Sequence, residues 1–421
     1  MKHLYLQDAI YLDWRSLDVR RGHFAVEVGP GGGISEVEAI PAAASVVDCQ
    51  GRIVTKSFAV GHHHAYSALA RGMPPPSRTP KNFVEILELV WWNLDKQLDE
   101  AMVRVSALVV AMEAARCGST FVIDHHASPN AVGGSLHVIA EAFDRVGVGH
   151  LLCYELSDRD GPERLQAGFE ETQAWLQETG NQGLVGLHAS FTVSDELLER
   201  AVALAKTHDT GIHIHVAEAL SDQEHSREQY GVSVVERLDR AGVMALPQTV
   251  LAHCLHLDEA ERARVRESRA WVVQNTESNQ NNDVGRFEPG GLGDRLFLGT
   301  DGMHSDMLAA ARACYLEGQS VGGLSPLDAY RRLRRVHDYI ETNGFAGDAD
   351  NNLVVLDYPS PTPLTSDNWA GHVIFGLGSQ HVHTVISNGR VIVDAGRVTT
   401  VDADEILADA SQQAQRLWKS L

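Results

Sequence analysis

Two textures of apolar and polar residues alternate along the chain and divide it into three stretches. Residues 1–56 carry short β-rich runs at 4–6, 9–12, 24–28 and 45–47, with the turn Gly29-Pro30-Gly31-Gly32-Gly33 among them. The far end, residues 350–421, reads the same way. It has an apolar run at 353–356 and two runs at 383–387 and 390–393, which meet across Asn388-Gly389. Asn-Gly tolerates the positive φ of a tight hairpin turn and is the strongest short hairpin signal. A helix over about 402–419 follows. The two ends look alike and are expected to share one small β domain. Between them, in residues 57–349, eight short apolar runs at 58–60, 120–123, 151–153, 184–187, 211–214, 250–252, 270–273 and 296–298 alternate with amphipathic stretches. The clearest of these stretches are 101–116 and 195–206, followed by Gly118 and Gly211. Strands alternating with helices imply an α/β fold with a parallel sheet, and eight of them predict a closed (β/α)8 TIM barrel.

In such a barrel the chemistry sits at the C-terminal ends of the strands. The residues there are ionisable or polar at every strand. In chain order they are His62-His63-His64, Asp124-His125-His126, Tyr154-Glu155, His188, His215 with Glu218, His253, Gln274-Asn275, and Asp301. A lone His-x-His is weak evidence. With 21 histidines in 421 residues, roughly one such pair arises by accident. The joint pattern is stronger. Residues two apart on a strand point the same way, so His62 and His64 both face the axis, and His215 and Asp301 arrive from other strands. Three imidazoles and a carboxylate suit one divalent metal ion, zinc first, with iron or manganese as the other candidates, and leave a position for water. Such a metal lowers the pKa of its water. Glu218 is placed to carry a proton to a leaving nitrogen, and His253 to orient the water or polarise the substrate. His63 and His213 read as supporting residues behind this set. His126 and its neighbour His125 fit either substrate contact or local hydrogen bonding. His304 either touches substrate or caps a helix.

Composition narrows the class. The net charge of −21 disfavours nucleic acid and anionic membranes as partners. Arg331, Arg332, Arg334 and Arg335 are read as one solvated helix face. The first residues lack an apolar core of the signal-peptide kind, and no run of 18 apolar residues occurs, so a cytoplasmic protein is expected. Five scattered cysteines without a Cys-x-x-Cys pair read as reduced thiols.

These residues, together with His62 to Gly72, Trp91-Trp92-Asn93-Leu94-Asp95, Asp124 to Pro129, Cys153 to Gly161, Gly186 to Thr192 and Gly299 to Gly302, make the chain similar to the amidohydrolase superfamily. The resemblance is to its mononuclear aminohydrolase branch of guanine, cytosine, pterin and triazine deaminases, most of all to the aminohydrolases called SsnA, and it covers nearly the whole chain. It implies a distorted TIM barrel with a composite β-sandwich, and His62, His64, His215 and Asp301 as metal ligands. It also implies acid/base and water-positioning roles for Glu218 and His253. His188 matches a position that contacts substrate, and Trp91, Trp92 and Asp95 lie in the segment that walls the pocket. The sequence departs from the branch where Val54 to Phe58 replaces a Pro-Gly entry and where Gln274-Asn275-Thr276 replaces His-Asn-Pro; Ser278-Asn279 is kept. His304 and Asp306 add polar groups at the mouth.

The expected activity is hydrolytic deamination of an amino-substituted N-heterocycle of small-molecule size, by a protein for which a homodimer is a family-level expectation. Two other readings compete. A cyclic amide or ureide hydrolase of the hydantoinase kind usually carries a lysine at the end of strand four, where this chain has His188. A non-catalytic binding subunit would have lost Glu218 or a ligand, and none is lost.

Overall fold

The computed structural model describes residues 2–421. All eight predicted apolar runs form strands, at Phe58–His63, Ser119–His126, Gly149–Leu156, Val185–Ala189, Ile212–Val216, Val250–His253, Trp271–Gln274 and Leu296–Leu298. They pair in chain order as one eight-stranded parallel sheet. The sheet curls until its two edges meet. There the N–H groups of Thr300 and Asp301 both donate to the His62 carbonyl, at 3.0 and 3.1 Å, and a parallel bridge joins His63 to Asp301.

Two glycines make that seam possible. A Cβ on Gly61 would lie 2.4 Å from the Leu298 carbonyl oxygen, and one on Gly299 would lie 2.9 Å from the His62 nitrogen. Neither backbone atom can move aside without opening the barrel.

The chain ends build a second sheet, mixed and nine-stranded. Leu353–Leu356 pairs antiparallel with Ile53–Lys56 on one side and with Val382–Ser387 on the other, which ties the two ends of the sequence together. The predicted runs at 4–6 and 9–12 form a single strand, His3–Leu12, with a shift of register between Leu6 and Ala9. Asp8, at φ 51°, sits at that shift. The bulge turns the two halves of the strand toward different neighbours. Residues 4–7 pair with Ser45–Asp48, and Ile10-Tyr11 with Ile53-Val54. The hairpin at Asn388-Gly389 has both residues at positive φ, 50° and 72°, as a type I′ turn requires.

The final helix, Ala403–Trp418, reaches the barrel. Trp418 Nε1 donates to the Leu69 carbonyl at 2.8 Å, and Arg416 pairs with Asp99 at 2.6 Å. Among the described residues no helix is long and apolar enough to cross a membrane.

The arginine cluster differs from the expected solvated face. On the helix Pro326–Thr342, Arg332 and Arg334 are buried. Arg334 Nη1 donates to the carbonyls of Lys56 and Ser57, at 3.0 and 2.8 Å, and its guanidinium lies over Phe58. Arg332 donates to Gln274 Oε1 at 3.0 Å. Arg334 pins the backbone at the base of the first barrel strand, and Arg332 holds the side chain that ends the seventh. Their acceptors lie 58 or more residues away, so a local charge pattern does not show them.

Gly299→Ala is expected to destabilise the protein by about 1–3 kcal/mol, the usual cost of forcing extra volume into a packed site. Denaturant unfolding is the check, and a midpoint equal to the parent's would show that the seam has slack.

Candidate active site

The strand ends converge at the C-terminal mouth of the barrel. Four imidazoles point Nε2 inward, and each is held from behind by a bond at Nδ1. His64 Nδ1 donates to the His125 carbonyl at 2.6 Å, and His215 Nδ1 to the His188 carbonyl at 2.8 Å. His62 Nδ1 meets His213 Nε2 at 2.9 Å, and His253 Nδ1 donates to Asn279 Oδ1 at 2.7 Å. A bond at one ring nitrogen sets the tautomer and leaves the other as a lone pair. In the space they face, His64 Nε2 lies 3.2 Å from His215 Nε2, and Asp301 Oδ1 lies 3.0 Å from His64 Nε2 and 3.4 Å from His62 Nε2. One ligand atom from each of His62, His215, His253 and Asp301 falls within 4.8 Å of the others. Buried His62 Nε2 and His253 Nε2 have no hydrogen-bond partner.

The electrostatics fit a cation. Burial drives His62 down to about 3 and His215 well below its ordinary value, so both are neutral donors. Burial also opposes charge on Asp301, but the His62 and His64 rings beside it, at 3.4 and 3.0 Å, hold its carboxyl well below the usual range. His64 behaves differently. Burial lowers it, yet its bond to Asp301 and the charges of Asp301, Glu155 and Asp124 outweigh that and raise it to about 9. Holding a cation here would require the lone pair of His64 Nε2, and so a neutral His64. Two neutral imidazoles, a third that gives up a proton and an ionised carboxylate form a donor set for a divalent metal.

Strained backbone marks the same residues. His253, Cys254, Ala217 and Asp301 all have positive φ, at 72°, 54°, 45° and 53°. Non-glycine residues are held there only when their surroundings over-determine them. Asp222 supplies part of that constraint: its carboxylate accepts the N–H groups of Ala217 (2.9 Å) and Phe191 (3.1 Å) and fixes the loop that carries Glu218. Burial pushes the Glu218 carboxyl up to about 7, against the pull of His253 and with the push of Asp301. Its Oε2 lies 3.4 Å from His253 Nε2. A carboxyl near neutrality can both take and give a proton.

These groups open on a cavity. Phe83, Leu87, Trp91 and Trp92 supply apolar walls; His188 and Asp95 also line it. His188 Nδ1 shares a hydrogen bond with Thr192 Oγ1 at 2.6 Å, and its ring packs edge-on against Trp92. Asp95 is paired with Arg159 at 2.5 Å. The structure does not bring His126 or His304 to the cavity wall. His126 Nε2 bonds Ser128 at 2.8 Å, and His304 Nε2 pairs with Glu277 at 2.7 Å. His63 bonds Ser305 at 3.2 Å, behind the site.

Three contributors had no role in the sequence reading, and Glu155 was read only as a strand-end residue. Ser278 donates to Asp301 Oδ2, Asn279 orients His253, Asn282 Nδ2 reaches Glu218 Oε1 at 3.4 Å, and Glu155 lines the cavity. The retained Ser278-Asn279 pair and the position of Glu155 at a strand end were the available signals.

Residues 58–332 match the model of the amidohydrolase family. Over 94% of this chain and 92% of the relative, the sequence is 28% identical to a 5-methylthioadenosine/S-adenosylhomocysteine deaminase from Pelotomaculum thermopropionicum. It is 24% identical to a 5'-deoxyadenosine deaminase from Methanosarcina mazei, over 95% and 94% of the two chains. The fold is similar to an adenosine deaminase from Xanthomonas campestris with bound zinc, with a TM-score of 0.83 at 20% identity over 99% of both chains.

The donor set predicts one divalent cation held per chain after dialysis, measured by elemental analysis. His64→Ala and Asp301→Asn should each lose it. Retention of the cation by both variants would place it elsewhere.

Proposed function

The chain belongs to the amidohydrolase family, and on that basis we propose that it removes an amino group hydrolytically from an N-heterocycle of the purine, pterin, pyrimidine or triazine kind. The observation that carries this reading is the position of Glu218. Its carboxyl is tuned to about 7 and stands 3.4 Å from His253, beside the inward-facing imidazole nitrogens and within the cavity wall. In this reading His62, His64, His215 and Asp301 hold one divalent cation, zinc by preference, with iron and manganese chemically close. A cation there supplies a water that ionises near neutral pH.

The chain's own residues do the rest. Glu218 takes a proton from the attacking water and delivers it to the departing nitrogen, so that ammonia leaves. His253, fixed by Asn279, holds the water or the developing oxyanion. Trp91, Trp92, Phe83 and Leu87 hold a planar ring, and His188 and Asp95 contact its polar edge. The relatives named as deaminases of adenosine-type compounds support the reaction class, as does their near-complete overlap with this chain. A hydantoinase-like reaction on a cyclic amide is less supported: among the described residues no lysine lines the cavity, and His188 is the next-to-last residue of the fourth strand. We read residues 57–349 as the catalytic domain, and residues 1–56 with 350–421 as its composite partner.

Ammonia release from a panel of aminopurines, aminopterins, aminopyrimidines and aminotriazines tests the reading. Glu218→Gln is expected to lower kcat by about 10²–10⁴-fold while the cation content stays unchanged. Release at the parent's rate in that variant would remove Glu218 from the reaction. Silence of the cation-loaded parent across the panel would remove deamination of these rings.

A further inference from the structure

Glu155 stands near the end of the third barrel strand, Gly149–Leu156, with its side chain only 4% exposed, and it lines the cavity. The proton-transfer scheme above gives it nothing to do. Its Oε2 lies 3.3 Å from His125 Nδ1, and its Oε1 lies 3.6 Å from Arg159 Nη2. Both exceed the ~2.7–2.9 Å of a charge-assisted hydrogen bond, and the guanidinium is drawn instead to Asp95 at 2.5 Å. An ionised carboxylate offers about four acceptor sites, so most of this one's capacity is unfilled. Burial opposes its charge, but His188, His125 and Arg159 hold the carboxyl well below its usual range. One ligand-type atom of Glu155 lies within 4.8 Å of those of His188 and His215. Glu155 therefore flanks the reacting region from the side of strands two and three, while Glu218 is flanked by His253 and Asn282 from strands six and seven.

The charges of the wall point the same way. Asp95, Glu155, Glu218 and Asp301 line the cavity, and no lysine or arginine does. Arg159 pairs with Asp95 behind the wall and burial pushes Glu218 up to about 7, so Glu155 and Asp301 are the acids that carry the charge there. A phosphate or carboxylate on the substrate finds no basic partner here and faces several acids.

We propose that Glu155 selects the substrate by accepting a hydrogen bond from a ring N–H, so that the site takes neutral or cationic heterocycles presenting such an edge and rejects anionic ones. This rests on the deamination reading of the same cavity. The carboxylate fixes the ring's orientation between the aromatic walls and turns the bond to be broken toward Glu218. A ring methylated at that nitrogen leaves the buried carboxylate without a donor, and that loss of a hydrogen bond to a charged group is worth about tenfold or more.

The test uses the cation-loaded full chain, its Glu155→Gln variant and a Glu155→Asp variant, which keeps the charge if the first fails to fold. Melting temperature and cations per chain are measured alongside kcat and KM. The substrates are the best ring of the panel, its ring-N-methyl analogue, and a nucleoside paired with its 5'-monophosphate. The expected result is a parent preference of about tenfold or more for the N–H ring. Glu155→Gln should raise KM for that ring, leave the methylated ring nearly unaffected and keep one cation, and the monophosphate should be turned over far more slowly than its nucleoside. The proposal is overturned if the variant affects both rings equally, or if the monophosphate is accepted as readily as the nucleoside. It is also overturned if the parent holds two cations and the variant one, which would make Glu155 a ligand. If the parent deaminates nothing, the deamination reading falls separately. Quenching of Trp91 and Trp92 fluorescence by the same two rings then decides: binding of the N–H ring that is lost in Glu155→Gln sustains the role, and identical titrations or no binding end it.

Discussion

The site depends on hydrogen bonds made on the far side of its histidines. An imidazole free to rotate or to change tautomer cannot hold a lone pair in a fixed direction. Here each inward-facing ring is anchored through Nδ1 by a strand carbonyl, a second histidine or an asparagine. The carbonyls that anchor His64 and His215 belong to His125 and His188, which are themselves strand-end residues of the neighbouring strands. Barrel pairing thus supplies both the ligating atoms and their orientation, and a change of register in one strand would misalign the ligand on the next. The strained backbone at His253 and Asp301 fits the same economy: these residues leave the β-region because their side chains must turn into the mouth at the last possible step.

A second consequence concerns charge. Burying Asp301, Glu218, Glu155 and Asp95 around one cavity is costly unless positive charge stands among them. Arg159 provides it for Asp95, a cation held by the inward imidazoles would provide it for Asp301, and burial leaves Glu218 near the point of protonation. Each acid is therefore set to a different state by its own neighbours, which is how carboxylates of one site come to do different work.

The architecture was largely readable from the sequence because it follows from local rules. The eight strands show as apolar runs, the hairpin as Asn-Gly, and the helices as 3.6-residue periods with glycine stops. The inward histidines were readable because strand ends are where a barrel keeps its chemistry. Side chains whose partners are distant in sequence were not. Arg332 and Arg334 look like a solvated stripe until Gln274, Lys56 and Ser57 are brought beside them. His126 and Glu155 end adjacent strands and look alike as candidates, yet the first turns to Ser128 and the second to the cavity. Which way a strand-end side chain leans depends on what the next strand offers, and no local pattern encodes it.

The seam between the first and last strands has a consequence for how the molecule assembles. His62 and Asp301 are separated by most of the chain, and they meet only when the Leu296–Leu298 strand docks beside Phe58–His63. Closing so long a loop is slow and entropically unfavourable, and every strand between must already be in place. The ligand set is therefore absent from any partly folded species that lacks the last strand. A cation that binds only the finished mouth favours the closed population by mass action and slows its reopening. A cation held across that seam would act as a latch on the ring of strands.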